Sequence, residues 1–320
     1  MSSRRVLVSG GAGFVGACLA RRLLIEGHRV ELLVRPRSDR WRIDDLGGDV
    51  VVHEADLRSE EAVRTIVTAS APDWIFHLAA HGAYSWQSDA RAIYDSNVLG
   101  TLNLAQACVR LGFEAFVHAG SSSEYGLKDH PPAEDEAPEP NSDYAVAKVA
   151  ATLLCRNLAA RHGLHMGTLR LYSVYGPWED HRRLMPTLVA HGLRGELPPL
   201  VDPDTARDFV HVDDVCEAFM SATRTQAAGS NGVYNVGSGL QSTLRDVVQI
   251  ARQALKISAE PRWGTHKPRS WDTSVWVANP SKIERELGWR AKRDLKDGLT
   301  DMASWIAQHP ALHERYGVRA

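Results

Sequence analysis

A chain of 320 residues with 44% hydrophobic residues and a formal net charge of −2 is long enough to bury a large core in two lobes, and the lack of a sustained basic run argues against a nucleic-acid partner. Its four cysteines are far apart, which predicts buried thiols of a reducing compartment and no metal site. No charged leader and no apolar run of the ~18 residues that span a membrane are present, so we expect a soluble, cytoplasmic protein without a membrane partner.

The first strand signal, RRVLVS, turns at once into the glycine-rich segment GGAGFVG at 10–16. Glycines at such a turn allow a close approach to a pyrophosphate and close packing of the next helix, whose free amides attract phosphates. A helix over 17–26 and a strand over 30–34 complete the βαβ unit that this fingerprint requires. The predicted dinucleotide site includes these residues of the turn: Gly10, Gly13, Phe14, Val15 and Gly16.

The end of the second strand bears on the choice of cofactor. Folds that bind NAD place an acidic residue there for the adenosine ribose 2′-hydroxyl, whereas this chain reads Arg35-Pro36-Arg37. A guanidinium binds a 2′-phosphate in a bidentate fork, so Arg35 favours NADP(H) as the cofactor. The same arginines also fit a solvated strand end, and NAD stays open as the alternative.

Strand and helix signals alternate through the rest of the first half. We predict strands over 50–52, 74–78, 115–119 and 166–171, and helices over 59–69, 92–111 and 144–162. This alternation predicts an α/β fold with a doubly wound parallel sheet, the Rossmann fold, in which ligands bind at the carboxyl ends of the strands.

The second half is less regular and predicts a smaller, mixed α/β substrate lobe built from separated C-terminal segments. It contains a strand signal over 233–236, and Ser281-Lys282-Ile283-Glu284 matches a capping box, which predicts a helix that ends near Gly288. We therefore divide the chain into a dinucleotide-binding domain over 1–175, with return segments near 207–238, and a lobe mainly for a nucleotide sugar over 176–320.

Tyr144 and Lys148 are separated by one helical turn, which brings both onto the same face of the helix. A nearby ammonium favours the phenolate and so lowers the pKa of a tyrosine toward working pH, as a general acid or base requires. The pattern alone is common, and an exposed helix with an interfacial tyrosine would also explain it. The glycine-rich turn and the hydroxyl-rich segment GSSSEYG at 120–126 favour the catalytic interpretation.

Together these motifs resemble the extended short-chain dehydrogenase/reductases, specifically the branch that modifies nucleotide sugars. The match covers nearly the whole chain, and its landmarks occur in order: GGAGFVG, Asp56-Leu57, Leu78-Ala79-Ala80, Asn97, GSSSEYG, YAVAK, RLYSVYGP at 170–177, 207–214, and a late Arg269.

The resemblance implies a role for each matching residue. Ser121 would be the catalytic hydroxyl, Tyr144 the acid or base, and Lys148 also a ligand of the nicotinamide ribose. Further cofactor contacts are implied for Asp56, Leu57, Leu78, Ala79 and Ala80. Arg207 and Arg269 would clamp the diphosphate of the sugar nucleotide, which suits planar guanidinium groups. Other substrate contacts are expected at His81, Tyr84, Ser122, Ser123, Ser173 and Leu184.

The reaction itself is suggested by departures from the family pattern. The 4,6-dehydratases carry a carboxylate where this chain has Ser122 and Ser123, and Glu124, one position along an extended segment, should point to the opposite face. Ser173 stands where many epimerases have asparagine. With Arg35, these features favour an NADPH-dependent C4-ketoreductase of a nucleotide-linked hexose or deoxyhexose.

Two alternatives remain open. One is a nucleotide-sugar 4-epimerase that uses bound NAD, and the other is a non-catalytic protein that senses dinucleotides. The helices over 92–111 and 143–162 have wide apolar faces, and relatives commonly pair such helices, so we also expect a homodimer.

Overall fold

The structure is a computed structural model that describes residues 2–84, 86–224, 232–265 and 273–318. Its strands are β1 (Arg5–Ser9), β2 (Arg29–Val34), β3 (Val50–Glu54), β4 (Trp74–His77), β5 (Ala115–Ser121), β6 (Met166–Leu171), β7 (Ser173–Tyr175), β8 (Ala206–His211), β9 (Val233–Val236) and β10 (Gln241–Thr243).

The α-helices are α1 (Phe14–Ile25), α2 (Glu60–Ser70), α3 (Ala90–Tyr94), α4 (Gly100–Leu111), α5 (Asp143–His162), α6 (Leu184–Gly192), α7 (Val212–Arg224), α8 (Leu244–Leu255), α9 (Ser281–Leu287), α10 (Leu295–Gln308) and α11 (His313–Tyr316). A π-helical turn (Asp95–Leu99) joins α3 to α4, and short 3₁₀ turns cover Asp44–Asp49, Ser122–Tyr125 and Pro310–Leu312.

The larger sheet has seven strands in the order β3-β2-β1-β4-β5-β6-β9, and every neighbouring pair is parallel. This order confirms the predicted doubly wound Rossmann sheet, with the reversal of strand order between β1 and β4. A smaller mixed sheet has the order β10-β8-β7, in which β8 pairs antiparallel with β10 and parallel with β7.

Alternate side chains of each central strand pack on opposite faces of the larger sheet. On β1, Val6 and Val8 pack with α1 and α7, whereas Leu7 packs with α2, α4 and α5. A separate apolar cluster joins α6, α8 and α10 beside the smaller sheet. Both faces of the larger sheet are therefore covered, which leaves the carboxyl ends of its strands as the place for polar chemistry.

The predicted helix over 92–111 is not one continuous α-helix. It begins at Ala90, where the side chain of Asp89 caps the first turn, and a π turn interrupts it around Asn97. The Asn97 amide donates to the carbonyl oxygens of His81 and Ile93 at 2.7 and 2.8 Å. A π turn of this kind often marks a functional segment, and here it fixes the loop that follows β4.

The capping box predicted at Ser281 is wrong, although the helix and its end before Gly288 are confirmed. Pro280 is the N-cap, and Ser281 is the first helical residue. Its backbone N–H donates instead to Asn279 Oδ1 at 3.2 Å. The helix therefore begins without a capping side chain at its N-cap, and the Asn279 side chain accepts only from the N–H of its first residue.

Candidate active site

The glycine-rich turn lies where β1 and β4 end side by side. Gly10 has a φ of +74°, and a Cβ there would stand 2.6 Å from the backbone nitrogen of Ala79, so no larger residue fits. Gly13 is the N-cap of α1, Phe14 and Val15 form its first turn, and Gly16 packs against the carbonyl of Gly10. The segment 78–80 follows β4 directly. The structure thus brings the predicted pyrophosphate turn and segment 78–80 to one edge of the sheet.

The residues predicted to surround the adenosine lie on the next two strands. Arg35 follows β2 and is exposed, while Asp56 and Leu57 follow β3. Arg58 grips Asp56 through Nε and Nη2 at 2.9 and 2.6 Å, and this ion pair holds the pKa of the Asp56 carboxyl below its ordinary value. The positive charge of Arg35 also contributes, less than Arg58 does, to the lowering of the Asp56 pKa.

Ser121 is the last residue of β5 and caps the 3₁₀ turn that follows. Its hydroxyl accepts from the Ser123 backbone N–H at 3.1 Å, and its own N–H donates to Glu124 Oε1 at 2.9 Å. The spacing Ser121-x-x-Glu124 is that of a capping box, and it explains why the chain forms a turn here rather than the extended segment that we predicted. Glu124 lies in a 3₁₀ turn rather than in the extended segment we predicted, and its carboxylate turns back onto the Ser121 backbone.

Tyr144 lies in the first turn of α5, which Ser142 caps by accepting from the Ala145 N–H at 3.2 Å. The expectation that this tyrosine has a lowered pKa is wrong here. Burial raises its pKa to about 12, although a hydrogen bond with the Ser121 side chain opposes that rise. The structure therefore brings the side chains of Ser121 and Tyr144 together, and their catalytic roles stay predictions.

Lys148 is one turn further along α5 and only 2% exposed. Burial lowers the pKa of its ammonium to about 8, while Glu124 and then Cys155 oppose the shift. Its Nζ lies 3.4 Å from Nε2 of His118, a buried histidine of β5 that the sequence analysis did not identify. An apolar-looking strand gives no signal that one of its residues contacts a catalytic lysine.

A buried network supports the turn behind Ser121. Glu124 is fully buried and accepts from Arg170 Nε at 2.9 Å and from the Thr152 hydroxyl at 3.1 Å. The Arg170 guanidinium also lies 4.4 Å from the ring centre of Tyr125, whose hydroxyl donates to Asn235 on β9. These contacts tie the turn to β6, α5 and β9, so they hold Ser121 against Tyr144.

Two of the expected sugar contacts, His81 and Tyr84, lie in the loop that follows β4, whose Gly82 is close to the Tyr144 ring. His81 is fixed by hydrogen bonds of its backbone with Asn97, and a Cβ on the adjoining Gly82 would lie 3.3 Å from the Tyr144 ring. Tyr84 lies beneath Arg183, whose guanidinium is 4.6 Å from its ring centre. Arg183 was not predicted as a site residue. Its positive charge also opposes the rise in the Tyr144 pKa.

The remaining expected contacts lie toward the smaller sheet. Ser122 lines a cavity of about 20 Å³ together with Tyr172 and Trp276, and the Arg207 guanidinium lies 5.5 Å from the Trp276 ring centre. Ser123 is half-buried in the same turn. Ser173 begins β7, Leu184 begins α6, and Arg269 lies outside the described residues.

Three cysteines, at 108, 155 and 216, are buried free thiols, and Cys18 is a half-buried one. In the described part of the chain, no group of three or more His, Cys, Asp or Glu residues is arranged to hold a metal ion. Within the same ranges, no helix has the length and apolar character needed to cross a membrane.

Comparison with known proteins places this site in a family. UDP-glucuronate 4-epimerase 3 of Arabidopsis thaliana is 30% identical over 326 residues, 94% of this chain and 76% of its own. UDP-glucose 4-epimerase of Thermus thermophilus, solved with NAD, is 29% identical with a TM-score of 0.83 and 94% and 98% coverage of the two chains.

UDP-glucuronic acid 4-epimerase of Bacillus cereus, solved with UDP-glucuronic acid and NAD, is 25% identical with a TM-score of 0.83, and the match covers 95% of this chain and 99% of that one. The family model for the NAD dependent epimerase/dehydratase family matches residues 6–237, which include the glycine-rich turn, Ser121, Tyr144 and Lys148. The expected resemblance is confirmed: the chain belongs to the NAD dependent epimerase/dehydratase family.

Proposed function

We propose that this protein is a nucleotide-sugar 4-epimerase that works with bound NAD. The observation that carries the proposal is the pairing of Ser121 with the half-buried Tyr144, since it offers one acid or base and one hydrogen-bond donor to a single substrate oxygen. The 4-epimerases among the relatives, two of them solved with NAD, support the same reaction.

The glycine-rich turn fits the dinucleotide, because Gly13, the N-cap of α1, has no side chain to occupy the first N–H groups of the helix, which would bind a pyrophosphate. The first turn of α1 would hold its pyrophosphate, and Asp56, Leu57 and segment 78–80 would border its adenosine and nicotinamide halves. When bound, the cofactor supplies hydride acceptance at C4 and return of the hydride to the other face of the sugar. The protein supplies the geometry and moves the proton.

In this mechanism the phenolate of Tyr144, formed when the phenol gives its proton to solvent, takes the proton of the C4 hydroxyl and is thereby converted to the phenol. The phenol returns the proton when the hydride comes back, while Ser121 donates to the same oxygen as charge develops on it. Lys148 provides the positive charge beside them and would hold the nicotinamide ribose. Its pKa of about 8 keeps most of the ammonium protonated at neutral pH.

We assign the diphosphate of the substrate to Arg207 and Arg269, and the sugar to the predicted contacts in the loop after β4 and toward the smaller sheet: His81, Tyr84, Ser122, Ser123, Ser173 and Leu184. The division of the chain into a dinucleotide domain over 1–175 and a sugar-nucleotide lobe over 176–320 belongs to the same proposal. Ser122 supports it, because one side chain of the turn reaches a cavity shared with Trp276 near the smaller sheet.

The test uses the purified protein with UDP-glucose and, separately, UDP-glucuronic acid, each followed by proton NMR. We expect the 4-epimer to accumulate to equilibrium with no net consumption of nicotinamide cofactor. Inactivity on both, together with stoichiometric oxidation of NADPH by a 4-keto sugar nucleotide, would instead establish the second candidate.

That second candidate is the NADPH-dependent C4-ketoreductase, and Arg35 is the observation that favours it. The side chain is exposed at the end of β2, where no carboxylate would repel a 2′-phosphate. The same Ser121 and Tyr144 would serve it, with Tyr144 donating its proton as the ketone is reduced.

Arg35→Asp should discriminate between these cofactors. If Arg35 binds a 2′-phosphate, NADPH should bind the wild type more tightly than NADH, and the variant should reverse that order by losing about 10- to 100-fold in NADPH affinity. Fluorescence titration measures both dissociation constants. Arg29→Asp, an exposed arginine at the other end of the same strand, should leave the ratio unchanged. Equal affinities in the wild type would remove the case for the reductase.

We also propose a homodimer through α5. Val146 and Leu153 are seven positions apart on this helix, and they are 39% and 53% exposed. Two such exposed apolar residues on one face fit a symmetric helix-to-helix contact. Light scattering at micromolar concentration should give twice the chain mass, and Leu153→Lys should give a monomer. Leu240→Lys, which changes an exposed leucine near the smaller sheet, should stay dimeric; a monomeric wild type would reject the proposal.

A further inference from the structure

A buried histidine of β5 contacts the catalytic lysine from below the active site. His118 is 1% exposed, and its Nε2 lies 3.4 Å from Lys148 Nζ, at the long end of the hydrogen-bond range. An ammonium can only donate, so Nε2 is the acceptor and the ring proton belongs to Nδ1. This nitrogen has no hydrogen-bond partner among the described residues.

A buried N–H without an acceptor costs stability, and an apolar side chain of similar size would avoid that cost. The neighbouring residues of the strand, Phe116 and Val117, are apolar and fully buried, so the location does not itself require a polar group. The free-energy cost of the unpaired Nδ1–H is offset by the hydrogen bond that Nε2 accepts, which an apolar side chain could not accept.

The nearby His77 does not share this task. Thr101 Oγ1 donates to the Asn97 carbonyl at 2.6 Å, so it must accept from His77 Nε2 at 2.8 Å. His77 Nδ1 then accepts from the Ser9 hydroxyl at 2.6 Å. Both of its nitrogens are satisfied, and its ring centre stays 5.4 Å from that of His118. His118 is therefore free to serve Lys148 alone.

Lysine has a flexible four-carbon stem and three donors, so its ammonium needs a fixed partner if the other donors are to be aimed. The charged or titratable groups around it are Glu124 from the 3₁₀ turn, His118 from β5, His77 from β4, and Cys155 and Tyr144 from α5 itself. Among the described residues, only His118 is within hydrogen-bond distance of Nζ.

We propose that His118 is a positioning residue for Lys148: its Nε2 accepts one hydrogen bond from the ammonium and so leaves the other two donors for the cofactor ribose and the side of Tyr144. The role rests on the proposed function insofar as Lys148 is catalytic, but it holds equally for an epimerase and for a reductase. Because the acceptor stabilises the charged form, it also keeps the ammonium protonated to a higher pH than burial alone would allow.

The direct test is an NMR titration of protein labelled with ¹³Cε-lysine, with Lys148→Met identifying the Lys148 resonance. His118→Phe keeps an aromatic ring and removes the acceptor, so the Lys148 midpoint should fall by about one pH unit. His118→Gln restores an acceptor and should recover most of the shift. If His118→Phe fails to fold, the comparison of His118→Gln with His118→Met replaces it. A midpoint unchanged between acceptor and non-acceptor variants overturns the proposal.

Activity gives the second readout. In His118→Phe the alkaline limb of the kcat profile should move to lower pH together with the NMR midpoint, and the dissociation constant of the cofactor should rise, because a less firmly held ammonium binds the ribose less well. A purely structural role would lower the unfolding temperature without moving the limb, and that result would overturn the positioning role. A shifted titration in a protein that turns over no sugar nucleotide would support the positioning role and reject the proposed function.

Discussion

Replacing Tyr144 by phenylalanine should reduce turnover of the true substrate by about 10²- to 10⁴-fold, the usual contribution of a general acid or base. The change removes one hydroxyl and leaves the ring in place, so the packing against Gly82 survives. Cofactor affinity should stay close to that of the wild type. Steady-state kinetics and a cofactor titration measure the two quantities separately.

Tyr94→Phe is the matched control, because this tyrosine lies beside α5 and donates only to Asp143, at 3.0 Å. It should leave turnover near the wild-type level. Ser121→Ala should give an intermediate loss, since it deletes one hydrogen bond to the oxygen on which charge develops. Wild-type turnover in Tyr144→Phe would contradict both the epimerase and the reductase proposals, because each needs that phenol to move the proton of the C4 hydroxyl.

The sheet could be predicted because its signals are local. The strand RRVLVS, the glycine-rich turn and the Tyr144 to Lys148 spacing each follow from a few consecutive residues, and the structure has all three in place. The π turn could not be predicted in this way. It is accompanied by hydrogen bonds between the Asn97 side chain and the backbone of His81, sixteen positions earlier. The helical spacing of apolar residues does not indicate such a contact.

The same distinction explains the candidate site. Short motifs are enough to identify Ser121 and Tyr144 as candidates. The pKa of Tyr144 depends on burial by the complete fold, and so the sequence predicts a lowered pKa where the structure raises it. His118 contacts Lys148 across 30 positions, and Arg170 contacts Glu124 across 46. Such pairs can be predicted only when it is known that β5 and β6 are neighbours in the sheet and that α5 packs on them.

The buried Glu124–Arg170 pair leads to the largest expected effect on stability. Glu124→Ala leaves the guanidinium of Arg170, which is 3% exposed, without its carboxylate, and it also leaves the Ser121 N–H without an acceptor. Breaking a buried pair in this way costs about 3–5 kcal/mol of unfolding free energy. Urea unfolding of the wild type and the variant measures the difference.

Two comparisons make that result specific. Arg110→Ala, in the exposed pair with Glu60, should change the unfolding free energy by about 0–1 kcal/mol. The double variant Glu124→Leu with Arg170→Met should recover part of the loss, because it removes the unpaired charge but still lacks an acceptor for Ser121. A loss below about 1 kcal/mol in Glu124→Ala would contradict the network. Since Glu124 holds the turn that carries Ser121, the loss of stability should be accompanied by a fall in turnover, whereas Arg110→Ala should leave both unchanged.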